Sequence, residues 1–308
     1  MSTQLVSGVV SEVFPNQCNV ILDHDPSKKL LCSYRRSQFS KKDKADKDKD
    51  TAKDKTAWRE RSPVSPGDKV EVQVLGSKDG VLENILPRKN CIQRKAPGKE
   101  GNILHTIAAN IDHVVIVSAF LDPPFSFGFI DRFLVSTQKE EITPLIVINK
   151  MDLSHDPSAT DKTPWKIYEE LGFECFPISA HDPASLAALK AKVKGKTSVF
   201  CGHSGVGKTS LLHELFGEKI GKIGIVNRVT GKGKHTTTVS MLLQTEDGTR
   251  FIDTPGIKEF GLFKVTPMEL IQYFPELYAL QVKREKYDHL PRYESYIRIK
   301  ESLEDNEN

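Results

Sequence analysis

The chain has 308 residues, 38% of them hydrophobic, which is enough to bury one full α/β core and at least one smaller domain. Its 44 Lys and Arg stand against 41 Asp and Glu, so a net charge of +3 gives no argument for a nucleic-acid partner, and only local clustering can supply one. The cysteines, Cys18, Cys32, Cys91, Cys175 and Cys201, are scattered without a C-x-x-C pair, which favours reduced thiols over a disulfide framework or a zinc knuckle and predicts a cytoplasmic protein.

Short β-like runs separated by turn residues lie at 9–14, 19–22, 30–34, 69–75 and 80–85. Five short strands predict a small barrel of the OB-fold kind, a type that commonly binds oligonucleotides. Arg35, Arg36, Arg88, Lys89 and Arg94 are its candidate phosphate contacts, against the plainer reading of a structural barrel with solvated charges. Residues 41–56, K-K-D-K-A-D-K-D-K-D-T-A-K-D-K-T, carry no apolar side chain larger than Ala and are predicted to be a disordered loop.

From about Asn110 the pattern alternates: strand 114–118, helix 129–138, strand 145–148, helix 165–171 and strand 175–178. Asp182-Pro183 predicts a helix start with Leu186, Leu189 and Val193 on one face, and strands follow at 197–201, 239–244 and 250–253. The expected architecture is a mostly parallel, doubly wound sheet. Thr266-Pro267-Met268-Glu269 reads as a capping box opening a helix to about Tyr273, with a second helix at 292–303 and a joining stretch at 281–290. The predicted domains are a barrel over 1–100, an α/β domain over 101–264 and a short helical region over 265–308.

The motifs name the chemistry. Residues 202–209, G-H-S-G-V-G-K-T, form a P-loop between a predicted strand and a predicted helix. Such a pattern arises by chance in roughly one chain in fifty of this length, so it gains its weight from company. That company is Asn149-Lys150-Met151-Asp152, Ile178-Ser179-Ala180, the Thr run 236–238 and Asp253-Thr254-Pro255-Gly256. Asp152 offers two acceptors that suit the N1–H and 2-amino donors of guanine, Asn149 can donate to O6 or N7, Lys150 can cover the ring, and the Ser179-Ala180 backbone can support O6. An Asn-Lys-x-Asp motif upstream of the P-loop describes a GTPase whose motif order is circularly permuted.

Gly202, Gly205 and Gly207 let the backbone of His203, Ser204 and Val206 curl around phosphates at the positive end of the following helix, where Ser210 also lies. Lys208 is expected to neutralise the β and γ phosphates, Thr209 to ligate Mg²⁺, Asp253 to hold its shell through water, and Gly256 to sense the γ phosphate. Gly231 to Thr238, G-K-G-K-H-T-T-T, has the composition of a switch loop, with one of Thr236, Thr237 and Thr238 as a metal ligand. Position 257 is Ile, where Ras-like enzymes usually place a water-orienting Gln. His235 is the nearest replacement, against a structural or RNA-facing role.

With these residues in hand, the chain resembles the ribosome small-subunit-dependent GTPase A (RsgA) family. The resemblance also rests on P-R-K-N at 87–90, N-I-D-H-V-V-I-V-S at 110–118, I-D-R-F-L-V at 130–135, I-K-E-F-G-L at 257–262, F-P-E at 274–276 and R-Y-E-S-Y at 292–296. It implies an OB-fold, a permuted GTPase domain and a cytoplasmic factor that uses GTP and Mg²⁺. It further implies binding to the 30S subunit and its 16S rRNA, late action in subunit maturation, and subunit-stimulated hydrolysis assisted by His235. The family's tail carries a Cys/His zinc cluster, yet between Gly256 and Asn308 the chain has no Cys and only His289, so no zinc is expected.

No window approaches 18 uninterrupted apolar residues and the N-terminus has no basic flank before a long apolar stretch, so neither a membrane span nor secretion is expected. DNA is not an expected partner, and a monomer is expected because no heptad or large apolar stripe is evident. Two alternatives stand beside this reading: a permuted GTPase of large-subunit assembly, and an RNA-binding assembly module in which hydrolysis is incidental.

Overall fold

The computed structural model describes residues 5–35, 38–39, 59–60, 62–95, 103–155, 163–217, 240–253, 262 and 265–307. The predicted disordered loop 41–56 and Arg36 lie outside the described residues. Two compact units make up the chain: Met1–Ile111 with Gly195–Val199 and Ile220–Pro255, and Asp112–Lys194 with Phe200–Lys219 and Gly256–Asn308.

The first unit opens with β1 (Leu5–Phe14), β2 (Gln17–Leu22), β3 (Lys29–Ser33), β4 (Arg59–Glu60), β5 (Lys69–Val74), β6 (Asp79–Ile85), β7 (Cys91–Lys95) and β8 (Ile103–Ala109). Five of these close a barrel in the order β1-β2-β3-β6-β5, with β3 parallel to β6. Alternation explains the closure: in Lys-Val-Glu-Val-Gln-Val of β5, Val70 and Val72 point inward to meet Val10, Val20, Leu30, Cys32 and Leu82, while the intervening side chains stay nearer water. Each fully buried Val or Leu there contributes about 1.5–3 kcal/mol by leaving water. Burial also pushes the Cys32 thiol up to about 11, in keeping with an inert core position.

A second small sheet, β4-β8-β7, was not foreseen. It corrects the reading of Arg88 as a phosphate contact. The Arg88 guanidinium donates to both carboxylate oxygens of buried Asp68, at 2.8 and 3.0 Å, and to Glu60 of β4 at 2.8 Å. Desolvation alone would lower its pKa, but the two carboxylates outweigh it and raise it, so Arg88 is an internal staple. Arg35 and Lys89 are exposed and Arg94 is half-buried.

A six-stranded sheet follows the order β11-β10-β9-β12-β14-β13, where β9 is His113–Ala119, β10 Thr143–Asn149, β11 Glu174–Pro177, β12 Thr197–Cys201, β13 Met241–Gln244 and β14 Arg250–Asp253. β9, β10 and β11 run parallel, and β13 pairs antiparallel with β14. Every residue of β9, His-Val-Val-Ile-Val-Ser-Ala, is buried, as a strand covered on both faces requires.

Among the described residues the α-helices are α1 (Phe127–Lys139), α2 (Lys166–Glu170), α3 (Ala187–Val193), α4 (Lys208–Phe216), α5 (Pro275–Val282) and α6 (Tyr293–Glu307). Ser126 caps α1, its hydroxyl accepting from the Phe129 amide at 3.4 Å. α3 starts later than Asp182-Pro183 suggested, because the Asp182 carboxylate takes the Ala184 amide and the Ser185 hydroxyl donates to Asp182 O, which together hold a turn. In the C-terminal part, Leu270, Phe274, Leu277, Tyr296, Ile299 and Leu303 pack with Val135 of α1.

Candidate nucleotide-binding site

The site lies in the second unit, where β10 ends, where β11 ends and where the chain passes into α4. The glycine loop is built by two left-handed residues, Gly205 at φ +84° and Gly207 at φ +87°. A Cβ on Gly207 would stand 2.4 Å from Asn149 Nδ2, and one on Gly202 would stand 2.5 Å from Val117 O of β9. The glycines are therefore demanded by close approach as well as by backbone angle. Val206 is buried and pins the loop, while His203, Ser204, Gly205, Thr209 and Ser210 stay exposed around it. The Lys208 ammonium lies across the loop, donating to Gly202 O and, at 2.8 Å, to His203 O.

Asn149 has a structural task beside the one expected of it. Its Nδ2 donates to Val206 O at 2.9 Å and its Oδ1 accepts from the Ala180 amide at 3.1 Å, while the second hydrogen of the NH2 group is the one a guanine O6 or N7 can take. The buried side chain thus ties the end of β10 to the glycine loop and to the Ser-Ala turn. Ser179 does parallel work on Asp152: its hydroxyl donates to Asp152 Oδ1 at 2.7 Å and accepts from the His181 amide at 3.2 Å. Asp152 itself is exposed, so its carboxylate is oriented by protein while open to a ligand. Lys150, at φ +65°, donates to Asp122 O in the turn between β9 and α1.

That turn is a part of the site that the motifs did not reveal. Pro123 lies against Gly205, within 3.8 Å of where a Cβ would be, and the Phe129 ring stacks on the His203 imidazole with centroids 4.2 Å apart. A run of aromatic residues just after a buried strand, Phe125, Phe127 and Phe129, was the available signal.

His235, Thr236, Thr237, Thr238 and Gly256 lie outside the described residues. The backbone of Asp253 ends β14, and its side chain lies outside them as well. Among the described residues no group of three or more His, Cys, Asp or Glu comes together, and no helix is long and apolar enough to cross a membrane.

The arrangement suits a purine nucleoside phosphate. A glycine loop at the head of α4 is a backbone of the kind that binds phosphates, and the Asp152 carboxylate, fixed by Ser179, has acceptors of the kind that purine N–H groups need. Thr209, in the first turn of α4, offers an exposed hydroxyl to a cation bound with those phosphates.

A strand, a glycine loop and a helix, joined through one Asn to an Asn-Lys-x-Asp turn that precedes them in the chain, define a P-loop GTPase of circularly permuted motif order. The chain belongs to the RsgA GTPase family, whose model matches residues 85–263. It is 34% identical over 250 residues to the small ribosomal subunit biogenesis GTPase RsgA of Flavobacterium johnsoniae, covering 80% of this chain and 77% of that one. With the protein of the same name from Haemophilus influenzae strain 86-028NP it shares 36% over 271 residues, 81% of this chain and 74% of the relative. Among solved structures, YjeQ from Thermotoga maritima matches with a TM-score of 0.66 and 25% identity over 97% of this chain and 99% of that one. YloQ, a circularly permuted GTPase, matches in fold with a TM-score of 0.65 at 24% identity, over 98% of this chain and 96% of its own.

Proposed function

We propose that the protein is a GTPase of small ribosomal subunit biogenesis that binds the 30S subunit through its 16S rRNA, hydrolyses GTP there and acts in the cytoplasm as a monomer. The observation that carries the nucleotide reading is the Asn149 amide, which ties the Asn-Lys-x-Asp, Ser-Ala and glycine loops into one rigid rim. The names carried by the relatives support the ribosomal part. The working division is 1–100 as an RNA-binding barrel, 101–264 as the GTPase and 265–308 as a helical region without zinc.

In this reading Asp152 accepts from guanine N1–H and the 2-amino group, oriented by Ser179, while Lys150 covers the ring and the Ser179-Ala180 backbone meets O6. The amides of 203–207 and Lys208 bind the β and γ phosphates, and Thr209, Asp253 through water and one of Thr236, Thr237 and Thr238 hold Mg²⁺. When bound, the ion would supply positive charge to the phosphates. With Ile at 257, the attacking water is oriented by His235, and Gly256 contacts the γ phosphate.

Steady-state GTP hydrolysis with and without purified 30S subunits, at matched salt, tests the proposal. Stimulation by 30S and none by purified 50S is expected. Stimulation by 50S alone would move the protein to large-subunit assembly, and undiminished rRNA binding and assembly activity in Lys208→Ala would make hydrolysis incidental.

A further inference from the structure

The tail beyond Val265 enters the nucleotide site's own support through one buried cation. Arg292, immediately before α6, is fully buried. Its Nε donates to Asp131 Oδ1 of α1 at 2.7 Å, and its Nη1 donates to both oxygens of Glu276 in α5, at 3.0 and 3.2 Å. The guanidinium carbon lies 4.5 Å from the centre of the Phe274 ring and 5.4 Å from that of Tyr168, and the Tyr168 hydroxyl donates to the same Asp131 oxygen at 3.0 Å. Burial disfavours the charge on Arg292, but the Asp131 and Glu276 carboxylates outweigh it and hold the guanidinium charged. A guanidinium bonded to two carboxylates and packed over two aromatic rings restrains α1 at Asp131.

Asp131 is two residues along α1 from Phe129, the residue stacked on His203 of the glycine loop. The turn that leads into α1 supplies Asp122 O to Lys150 and sets Pro123 against Gly205. Two contacts on the nucleotide rim, at Lys150 and His203, and the nearest neighbour of Gly205 thus come from one segment, 122–129, and Arg292 holds α1 at Asp131.

We propose that Arg292 is a positioning residue for guanine nucleotide binding: by fixing Asp131 it sets segment 122–129 at the height where it braces the glycine loop and Lys150. This rests on the reading of that rim as the nucleotide site. The tail is then coupled to nucleotide through α1, and linkage makes the coupling reciprocal. Nucleotide must tighten the tail by the factor with which the tail tightens nucleotide.

Fluorescence titration with N-methylanthraniloyl-GDP on Arg292→Met, an apolar side chain of similar length, should show affinity weakened roughly two- to thirtyfold, with Arg292→Lys between it and the unaltered protein. KM for GTP should rise more than kcat falls. Affinity equal to that of the unaltered protein, in Arg292→Met shown to be folded, would overturn the inference. Failure of the unaltered protein to bind the probe would instead overturn the site reading. Hydrogen exchange on the unaltered chain decides the matter even where Arg292→Met does not fold. Saturating GDP should slow exchange of the α6 amides beyond any slowing in β1 to β3, which report general stabilisation. Equal slowing in the two places refutes the coupling.

Discussion

Two Arg–Asp pairs with nearly the same Nε–Oδ1 distance serve different ends. Arg88 and Asp68 join at 2.8 Å in the first unit, as Arg292 and Asp131 do at 2.7 Å in the second. In both the aspartate is fully buried, but the Arg88 side chain retains 18% of its exposure and its second partner, Glu60, 35%, whereas Arg292 retains none and Glu276 14%. Arg88 staples β4 and the start of β5 within a barrel and its neighbouring sheet. Arg292 grips a helix whose first turn leans on the glycine loop. An ion pair's local chemistry therefore does not declare its role, which depends on what the element it anchors touches next.

The sharpest way to break the parallel is Arg292→Ala, which leaves Asp131 and Glu276 without their cation in a dry site. Urea unfolding should show a loss of about 3–5 kcal/mol, accompanied by weaker nucleotide binding. Arg88→Ala should cost less, about 2–3 kcal/mol, because water reaches the Glu60 side of the cluster, and nucleotide affinity should be unchanged. A matching fall in nucleotide affinity in Arg88→Ala would erase the distinction between the pairs.

The smallest effect belongs to a third, partly exposed pair, Lys139 with Glu269 at 2.8 Å, which ties the end of α1 to the tail. Lys139→Met should cost less than about 1 kcal/mol and the loss should shrink in high salt. The Lys139 hydrogen bond holds the Glu269 carboxyl below its ordinary range, so the pair's contribution is complete at neutral pH and is lost as pH falls through that lowered range. The same contact raises the Lys139 ammonium, so on the alkaline side the contribution fades only above the usual lysine range. A pH series of unfolding midpoints for the unaltered and Lys139→Met chains reads both limbs.

Much of the fold was legible because its signals are local. The inward valines of β5, the apolar run of β9 and the glycine loop before α4 are each written within ten residues. The capping box at Thr266 also formed, with Thr266 Oγ accepting from the Glu269 amide at 3.3 Å, yet it heads only a 3₁₀ turn over Leu270–Tyr273. Pro275 decides this: the residue before a proline is pushed out of the helical region, and Phe274 sits at φ −121° and ψ 77°. Pro275 then opens α5 as its first residue, a helix the sequence reading passed over.

From the sequence alone came the class of chemistry and the order of its parts, because phosphate cradles and guanine-reading turns need particular residues at fixed short spacings. Which side chains meet across long separations was left to the tertiary structure. Asn149 meets Val206 and Ala180, Arg88 turns from solvent to Asp68, and Arg292 finds Asp131 across 161 residues. A buried polar group must find its partner wherever packing puts one, and no local pattern records that choice.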